Sequence, residues 1–438
     1  MSENIVKWDA MMEVASLTDI GMRRTNNQDN FVVWYAPSME QWEERGHLFV
    51  VADGMGAHAA GELASKIAVD NIPHLFTKYR TIPAPEALKR ALEDANAEIH
   101  RRGRANEEFH NMGTTCSTLL LTNQGAFAGH VGDSRVYRLR GHQFEQLTFD
   151  HSLVWEMRQQ GSSSEYDTPG GSRIPKNVIT RSLGPYPEVQ VDLEGPYDVQ
   201  PGDQFMLCSD GLTGQIEDSE IGALMNALPP ADAAKVLVDL ANLRGGPDNI
   251  TLIIVRIVGP QLAAEGSKKS RSGSANGGGK RSLLGASRFI GPLLWSLMGV
   301  LLLAGWWLFN LTNNPLVALI PLLLAVGMLA IILVRWMQAS PPGVVDVPPP
   351  PGGNGPYVKI DCRPASWKTV DHLRDMVQQI RDAGAQKGWQ IPESDLQQRL
   401  ARAEAMAATR DVRATLKEFA LIISFLMEQL RRKGRKNS

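Results

Sequence analysis

Aspartates in this chain recur where apolar runs end and glycines begin. Leu48-Phe49-Val50-Val51 stops at Ala52-Asp53-Gly54, and Met206-Leu207-Cys208 stops at Ser209-Asp210-Gly211. Gly132-Asp133-Ser134 and Gly246-Pro247-Asp248-Asn249 are acidic, glycine-bearing turns of the same kind. A single Asp-Gly after a core strand is an ordinary turn. Repetition changes the reading. Carboxylates fixed at the ends of buried strands are how oxygen ligands converge on a hard divalent cation, and an adjoining glycine lets the backbone approach whatever the carboxylate binds.

Those carboxylates need strands to carry them. Phe31–Tyr35, Thr114–Leu121, Ala126–Val131, Val136–Leu139, Phe144–Leu147, Val189–Leu193, Asp203–Ser209 and Ile250–Ile257 read as strands, whereas Ser16–Asn30 reads as a polar loop. Consecutive strands this close cannot be parallel, so the sheet is largely antiparallel. Helical spacing of apolar residues runs through His58–Tyr79, Pro85–Arg102, Ser219–Asn226 and Ala231–Leu243. Ser162–Lys176, rich in Ser, Gly and Pro, reads as a mobile flap. The expected fold is a layered α/β sandwich over residues 1–260.

At 438 residues the chain exceeds one ordinary domain. The formal net charge of −2 hides an acidic first block and a basic remainder. The acidic block argues against nucleic acid as a partner. Three cysteines form no CxxC pair, and no apolar leader follows Met1, so the catalytic block is expected to be cytosolic and reduced. Residues 261–288 read as a flexible basic linker; its Gly-Gly-Gly-Lys-Arg-Ser is no phosphate loop, because Arg281 stands where Ser or Thr would hold magnesium. Phe289–Leu311 and Leu316–Trp336 are each about as long as a bilayer crossing needs, roughly 20 residues. Basic flanks before Phe289 place both ends of this transmembrane hairpin in the cytoplasm. Residues 340–356 are a proline-rich spacer, and 357–438 a helical cytoplasmic region. There Val412, Leu416, Phe419, Ile423, Leu426 and Leu430 form a heptad seam. The plain expectation for that seam is a three-helix bundle packing on itself; the functional one is self-association or partner docking.

Residues 14–257 resemble the PPM family of metal-dependent protein Ser/Thr phosphatases (type 2C), in its bacterial branch. The resemblance rests on Arg24-Thr25-Asn26-Asn27-Gln28-Asp29-Asn30, Ala52 to His58 with Gly61-Glu62, Gly113-Thr114-Thr115, Gly132-Asp133-Ser134-Arg135, Cys208 to Leu212, and Gly246-Pro247-Asp248-Asn249, in the family's order. It implies two stacked antiparallel sheets flanked by helices, an α-β-β-α sandwich, and phosphoserine and phosphothreonine proteins as substrates. A partner Ser/Thr kinase is implied too. By that likeness Asp53 bridges two manganese or magnesium ions with the Gly54 carbonyl as a further ligand, Asp210 and Asp248 complete the first ion's shell, and Asp29 orients its waters. Asp133 matches the position that holds a third, weaker ion. All these donors are oxygen, which suits magnesium or manganese rather than zinc. Two such ions about 3.5–4 Å apart can generate a hydroxide aimed at phosphorus, and Arg24 is assigned to the phosphate, whose oxygens a guanidinium matches in pairs. Met55 stands where many eukaryotic members carry a His, the candidate general acid. His58 is the nearby substitute. Ala57 replaces a glycine common in the bacterial motif.

The expectation is therefore a phosphatase anchored in the inner (plasma) membrane as a multi-pass protein, with catalytic and C-terminal regions cytoplasmic. A catalytically silent phospho-sensor or scaffold on the same fold is the alternative, and loss of metal-site carboxylates would mark it; Asp53, Asp210 and Asp248 are all present. A channel or transporter is disfavoured, because the hairpin carries no ionisable residue before Arg335.

Overall fold

The computed structural model describes residues 8–56, 59–159, 178–263, 355–362, 367–386 and 391–437. Two antiparallel sheets stack on one another. The first runs β1 (Met12–Asp19), β11 (Ile250–Ile257), β10 (Gln204–Cys208), β7 (Arg135–Arg140), β8 (Gln143–Gln146) and β12 (Val358–Asp361). The second runs β2 (Asp29–Trp34), β3 (His47–Met55), β5 (Cys116–Thr122), β6 (Gly125–Val131) and β9 (Asp192–Tyr197), with β4 (Gly113–Thr114) paired to the end of β3. Phe49, Val51, Leu119, Phe205, Leu207, Ile253 and Val255 fill the space between the sheets. Their alternate neighbours Val50, Leu120, Met206 and Ile254 face outward under helices. A strand covered on both faces needs no polar alternation, which is why these runs read as continuously apolar.

Helices α2 (Ala60–Lys78) and α3 (Ala84–Ala105) cover the second sheet through Ile67, Ile72, Leu88, Leu92 and Ile99. Helices α6 (Asp218–Ala227) and α7 (Pro230–Leu243) cover the first. Three short helices, α1 (Met39–Arg45), α4 (Leu153–Gln159) and α5 (Asp210–Thr213), sit in the connections. This α-β-β-α order is the expected sandwich.

Two segments depart from the sequence reading. Ser16–Asp19 belongs to β1 rather than to a loop, paired with Ile250–Ile253 of β11. Its run Met12–Asp19 alternates polar and apolar residues weakly and carries Thr, Ser and Asp, so composition masked a half-buried edge strand. The C-terminal region is the larger departure. Helices α8 (Trp367–Gln386), α9 (Glu393–Ala408) and α10 (Val412–Asn437) pack together, but α10 also lies on α6 and α7. The seam residues Leu416, Phe419, Ile423 and Leu426 share one core with Val236, Leu237 and Leu240. Before those helices, β12 adds to the edge of the first sheet beside β8, and Tyr357 donates a hydrogen bond to Glu194 of β9. The self-contained bundle is thus replaced by a third helical layer on the same folded unit. An amphipathic stripe shows that a helix face is buried, not against what.

Among the described residues no helix is long and apolar enough to cross a membrane. The hairpin expected at Phe289–Leu311 and Leu316–Trp336, the flap Ser162–Lys176 and His58 all lie outside the described residues.

Candidate metal centre and catalytic cleft

The centre is built where strand ends from both sheets meet. Asp29 opens β2 and is the register partner of Asp53 in β3, so two carboxylates face each other across one ladder. The Asp53 backbone is held from several sides: its N–H donates to Thr115 Oγ1 at 3.0 Å, and its carbonyl accepts from Thr115 N at 2.8 Å and Thr114 Oγ1 at 2.9 Å. Gly54 follows because nothing larger fits. A Cβ there would stand 2.0 Å from the Gly61 carbonyl oxygen, where α2 begins.

From the first sheet, β10 delivers Ser209 and Asp210, and the turn before β11 delivers Asp248 and Asn249. Ser209 Oγ donates to Asp29 Oδ2 at 2.7 Å and itself accepts from Thr251 N at 3.0 Å. Asn249 Nδ2 donates to the carbonyls of Ile20 and Asn26, and its Oδ1 accepts from Gln28 N. One amide therefore staples the Asp248 turn to the loop that carries Arg24. Asp133 is brought in from the turn after β6, beside Ser134, whose hydroxyl is 2.7 Å from Thr115 Oγ1.

The electrostatics follow from crowding like charges in a poorly solvated place. Burial, outweighing hydrogen bonds from Ser209 and Thr251, pushes the Asp29 carboxyl up to about 7. Asp53 is pushed well above the carboxylate range by desolvation and then by Asp29, Asp210, Asp133 and Asp248. Asp210 is raised by burial and Asp248. Asp133 is raised to about 8 by burial, with Asp210 and Asp150 adding to it. Among the described residues, Asp29 Oδ1, Asp133 Oδ1 and Asp210 Oδ1 are buried with no hydrogen-bond partner. Buried oxygens without partners are costly, and a cation would answer that cost at all three. No three of these side chains among the described residues are drawn together tightly enough to make a ready ligand cage. The fit therefore rests on the all-oxygen donor set and on the unpartnered oxygens.

Beside these carboxylates opens a cleft of about 500 Å³, lined by Arg24, Asp133, Asp210 and Asp248 together with Arg135, Asp150 and Trp155. Sequence reasoning quoted Arg135 within a motif but gave it no role, and it missed Asp150 and Trp155. In the structure Arg135 grips Asp150 with Nε and Nη2 at 2.7–3.0 Å, donates to Tyr137 Oη at 2.9 Å, and lies 5.8 Å from the Trp155 ring centroid. The signal was there in part: three arginines, Arg135, Arg138 and Arg140, fall within one six-residue strand, a density that demands carboxylate partners. Arg24, assigned to the phosphate by the resemblance, lines this cleft and is paired there with Asp248. Its Nη2 is 2.7 Å from Asp248 Oδ2, with the two side chains 47% and 33% exposed.

The sequence profile of protein phosphatase 2C matches residues 22–241. The chain belongs to the protein phosphatase 2C family. Protein phosphatase PhpP of Streptococcus pneumoniae is 38% identical over 248 residues, covering 56% of this chain and 97% of its own. The Serine/threonine phosphatase stp of Listeria monocytogenes is 33% identical over 244 residues, covering 54% of this chain and 93% of its own. Among solved structures, the Mycobacterium tuberculosis serine/threonine phosphatase PstP/Ppp shares 31% identity over 57% of this chain and all of that one, at a TM-score of 0.49. This protein phosphatase 2C member is accordingly a protein-serine/threonine phosphatase, a hydrolase of phosphoric monoesters. Its family match ends before the third helical layer begins.

Proposed function

We propose that this phosphatase hydrolyses phosphoserine and phosphothreonine in proteins at the cleft above Asp53, with two manganese or magnesium ions held by Asp53, the Gly54 carbonyl, Asp210 and Asp248. Asp29 would orient their waters, and Asp133 would hold a third, weaker ion. The observation that carries the reading is the set of unpartnered buried oxygens on Asp29, Asp133 and Asp210, the last two of which line the cleft. When bound, such ions supply charge neutralisation and a more acidic water.

The chain's own residues supply placement. Thr114 and Thr115 fix the Asp53 backbone, and Ser209 fixes one Asp29 oxygen. Arg24 exchanges Asp248 for the substrate phosphate. An ion pair this exposed is worth at most about 1 kcal/mol, so the exchange costs little, whereas a guanidinium on a phosphate makes paired, charge-assisted hydrogen bonds. Arg135 and Trp155 line the same cleft. His58 is proposed as the acid for the leaving alkoxide.

Anchoring is proposed through the hairpin Phe289–Leu311 and Leu316–Trp336, with both the catalytic unit and the C-terminal helices on the cytoplasmic side of the inner membrane. Phosphorylated proteins, a Ser/Thr kinase or its targets, are the proposed partners. Self-association through the C-terminal helices would have to use faces other than the seam, which is covered.

Asp53→Asn tests the centre. Turnover of a phosphothreonine peptide should fall at least ~100-fold, and calorimetric titration with manganese should lose its strong binding. Undiminished turnover, or full activity in excess chelator, would refute the proposal.

A further inference from the structure

Helix α10 reaches the end of β1, where the loop bearing Arg24 begins, through one side chain. Arg431 Nη2 lies 2.8 Å from Asp239 Oδ1 in α7 and 3.5 Å from Asp19 Oδ2 at the end of β1. Asp239 is fully buried, and its other oxygen accepts from Ser424 Oγ of α10 at 2.8 Å. The guanidinium thus sits between two carboxylates from separate elements, and the Coulomb repulsion between them grows without it. Asp19 is the first residue of the chain leading to Arg24. Its Oδ1 accepts from Gly21 N at 2.9 Å and from Asn242 Nδ2 at 3.1 Å. Gly21, at φ +80°, presses against the Asp248 turn so closely that a Cβ would come within 2.2 Å of the Asp248 carbonyl oxygen. Met22 N donates to the Gly246 carbonyl at 2.8 Å. The loop bearing Arg24 and the turn bearing Asp248 are therefore packed on each other, and their shared foot is Asp19.

We infer that Arg431 is a positioning residue for phosphate capture: by holding Asp19 against α7, the C-terminal helix sets the loop that presents Arg24 to the substrate. Arg431 lies far beyond residues 22–241, the part matched to the family. The device belongs to the third helical layer, and docking of that layer is linked to substrate affinity. The inference rests on the assignment of Arg24 to the phosphate.

Steady-state kinetics of the full chain on a phosphothreonine peptide test it, with Arg431→Met, Arg431→Lys, Asp19→Asn and Arg24→Ala side by side. Arg431→Met keeps the apolar stem and should raise KM about 5–10-fold while leaving kcat within about twofold, the signature of lost orientation at binding rather than lost chemistry. Arg431→Lys should recover most of the KM. Asp19→Asn, which keeps the Oδ1 acceptor but removes the charge, should make the Arg431→Met effect smaller when the two are combined. A helix that merely stabilised the fold would lower the melting temperature and the active fraction without moving KM. A raised KM in Arg24→Ala with an unchanged KM in Arg431→Met would overturn the inference alone, as would full additivity with Asp19→Asn. An unchanged KM in Arg24→Ala would overturn the phosphate assignment and the inference with it.

Discussion

His47 offers a measurement in which the sign and the size both come from the structure. Its ring is fully buried at the start of β3, with Trp8, Tyr35 and Trp42 around it at centroid distances of 4.3, 5.9 and 6.3 Å. Nδ1 accepts from Ala36 N at 3.1 Å, a bond that only the neutral ring can receive there. Burial lowers its pKa from 6.5 to about 3. The folded state therefore binds this proton less readily than the unfolded chain does. The neutral ring's contribution is complete above pH ~6.5 and is lost as the pH falls from there towards 3, at about 1.4 kcal/mol per unit. Between pH 7 and pH 5 the loss is about 2 kcal/mol. His47→Gln keeps an acceptor and does not titrate. Guanidinium unfolding followed by tryptophan fluorescence, for both proteins across that range, should show the wild type's advantage over the variant shrinking by about 2 kcal/mol. The acidic cluster titrates equally in both proteins and cancels from the difference. A constant gap from pH 7 to pH 5 would refute the reasoning.

Arg24→Ala should weaken phosphopeptide capture and leave manganese affinity nearly intact by calorimetry; loss of metal binding with unchanged KM would reverse the assignment. Phe419→Ala should destabilise the catalytic unit by about 3–5 kcal/mol, because the ring is fully buried in the core shared with α7 and lies under the Arg374 guanidinium at 5.1 Å. Unfolding curves check this, and a loss confined to the C-terminal helices would contradict the shared core. For the proposed topology, single cysteines placed at Gly266 and Asn437 should resist a membrane-impermeant thiol reagent added outside sealed, right-side-out vesicles, and labelling at either site would refute it.

The catalytic half was legible because its chemistry punctuates its strands. Asp53-Gly54 and Asp210-Gly211 mark strand ends in one dimension, and the two sheets bring those ends together in three. The pairing of Arg24 with Asp248 was not legible, since 224 positions separate them and an exposed pair leaves no local pattern. Nor was the Arg135–Asp150 grip, in which a buried carboxylate is set by a partner on another element. The stripes Val370, Leu373, Val377, Ile380 and Leu416, Phe419, Ile423 were read correctly as buried faces. What covers them was not readable, because a heptad spacing is satisfied by any apolar neighbour. Strand β12 escaped because Val358–Asp361 has only four residues, too few for a period to declare itself.

The third helical layer also imposes an order in time. Strand β11 of the catalytic sandwich ends at Ile257, yet the residues that cover α6 and α7 run on to Arg431. At ribosomal rates of about 5–20 residues per second, roughly 10–35 s separate the two. Throughout that interval the faces of α6 and α7 on which α10 lies have no cover, and Asp19 and Asp239 have no guanidinium between them. On the role proposed for Arg431, a nascent chain passes through a stage with β1 to β11 formed and the Arg24 loop unset, and it gains its full substrate affinity only when its final helix arrives.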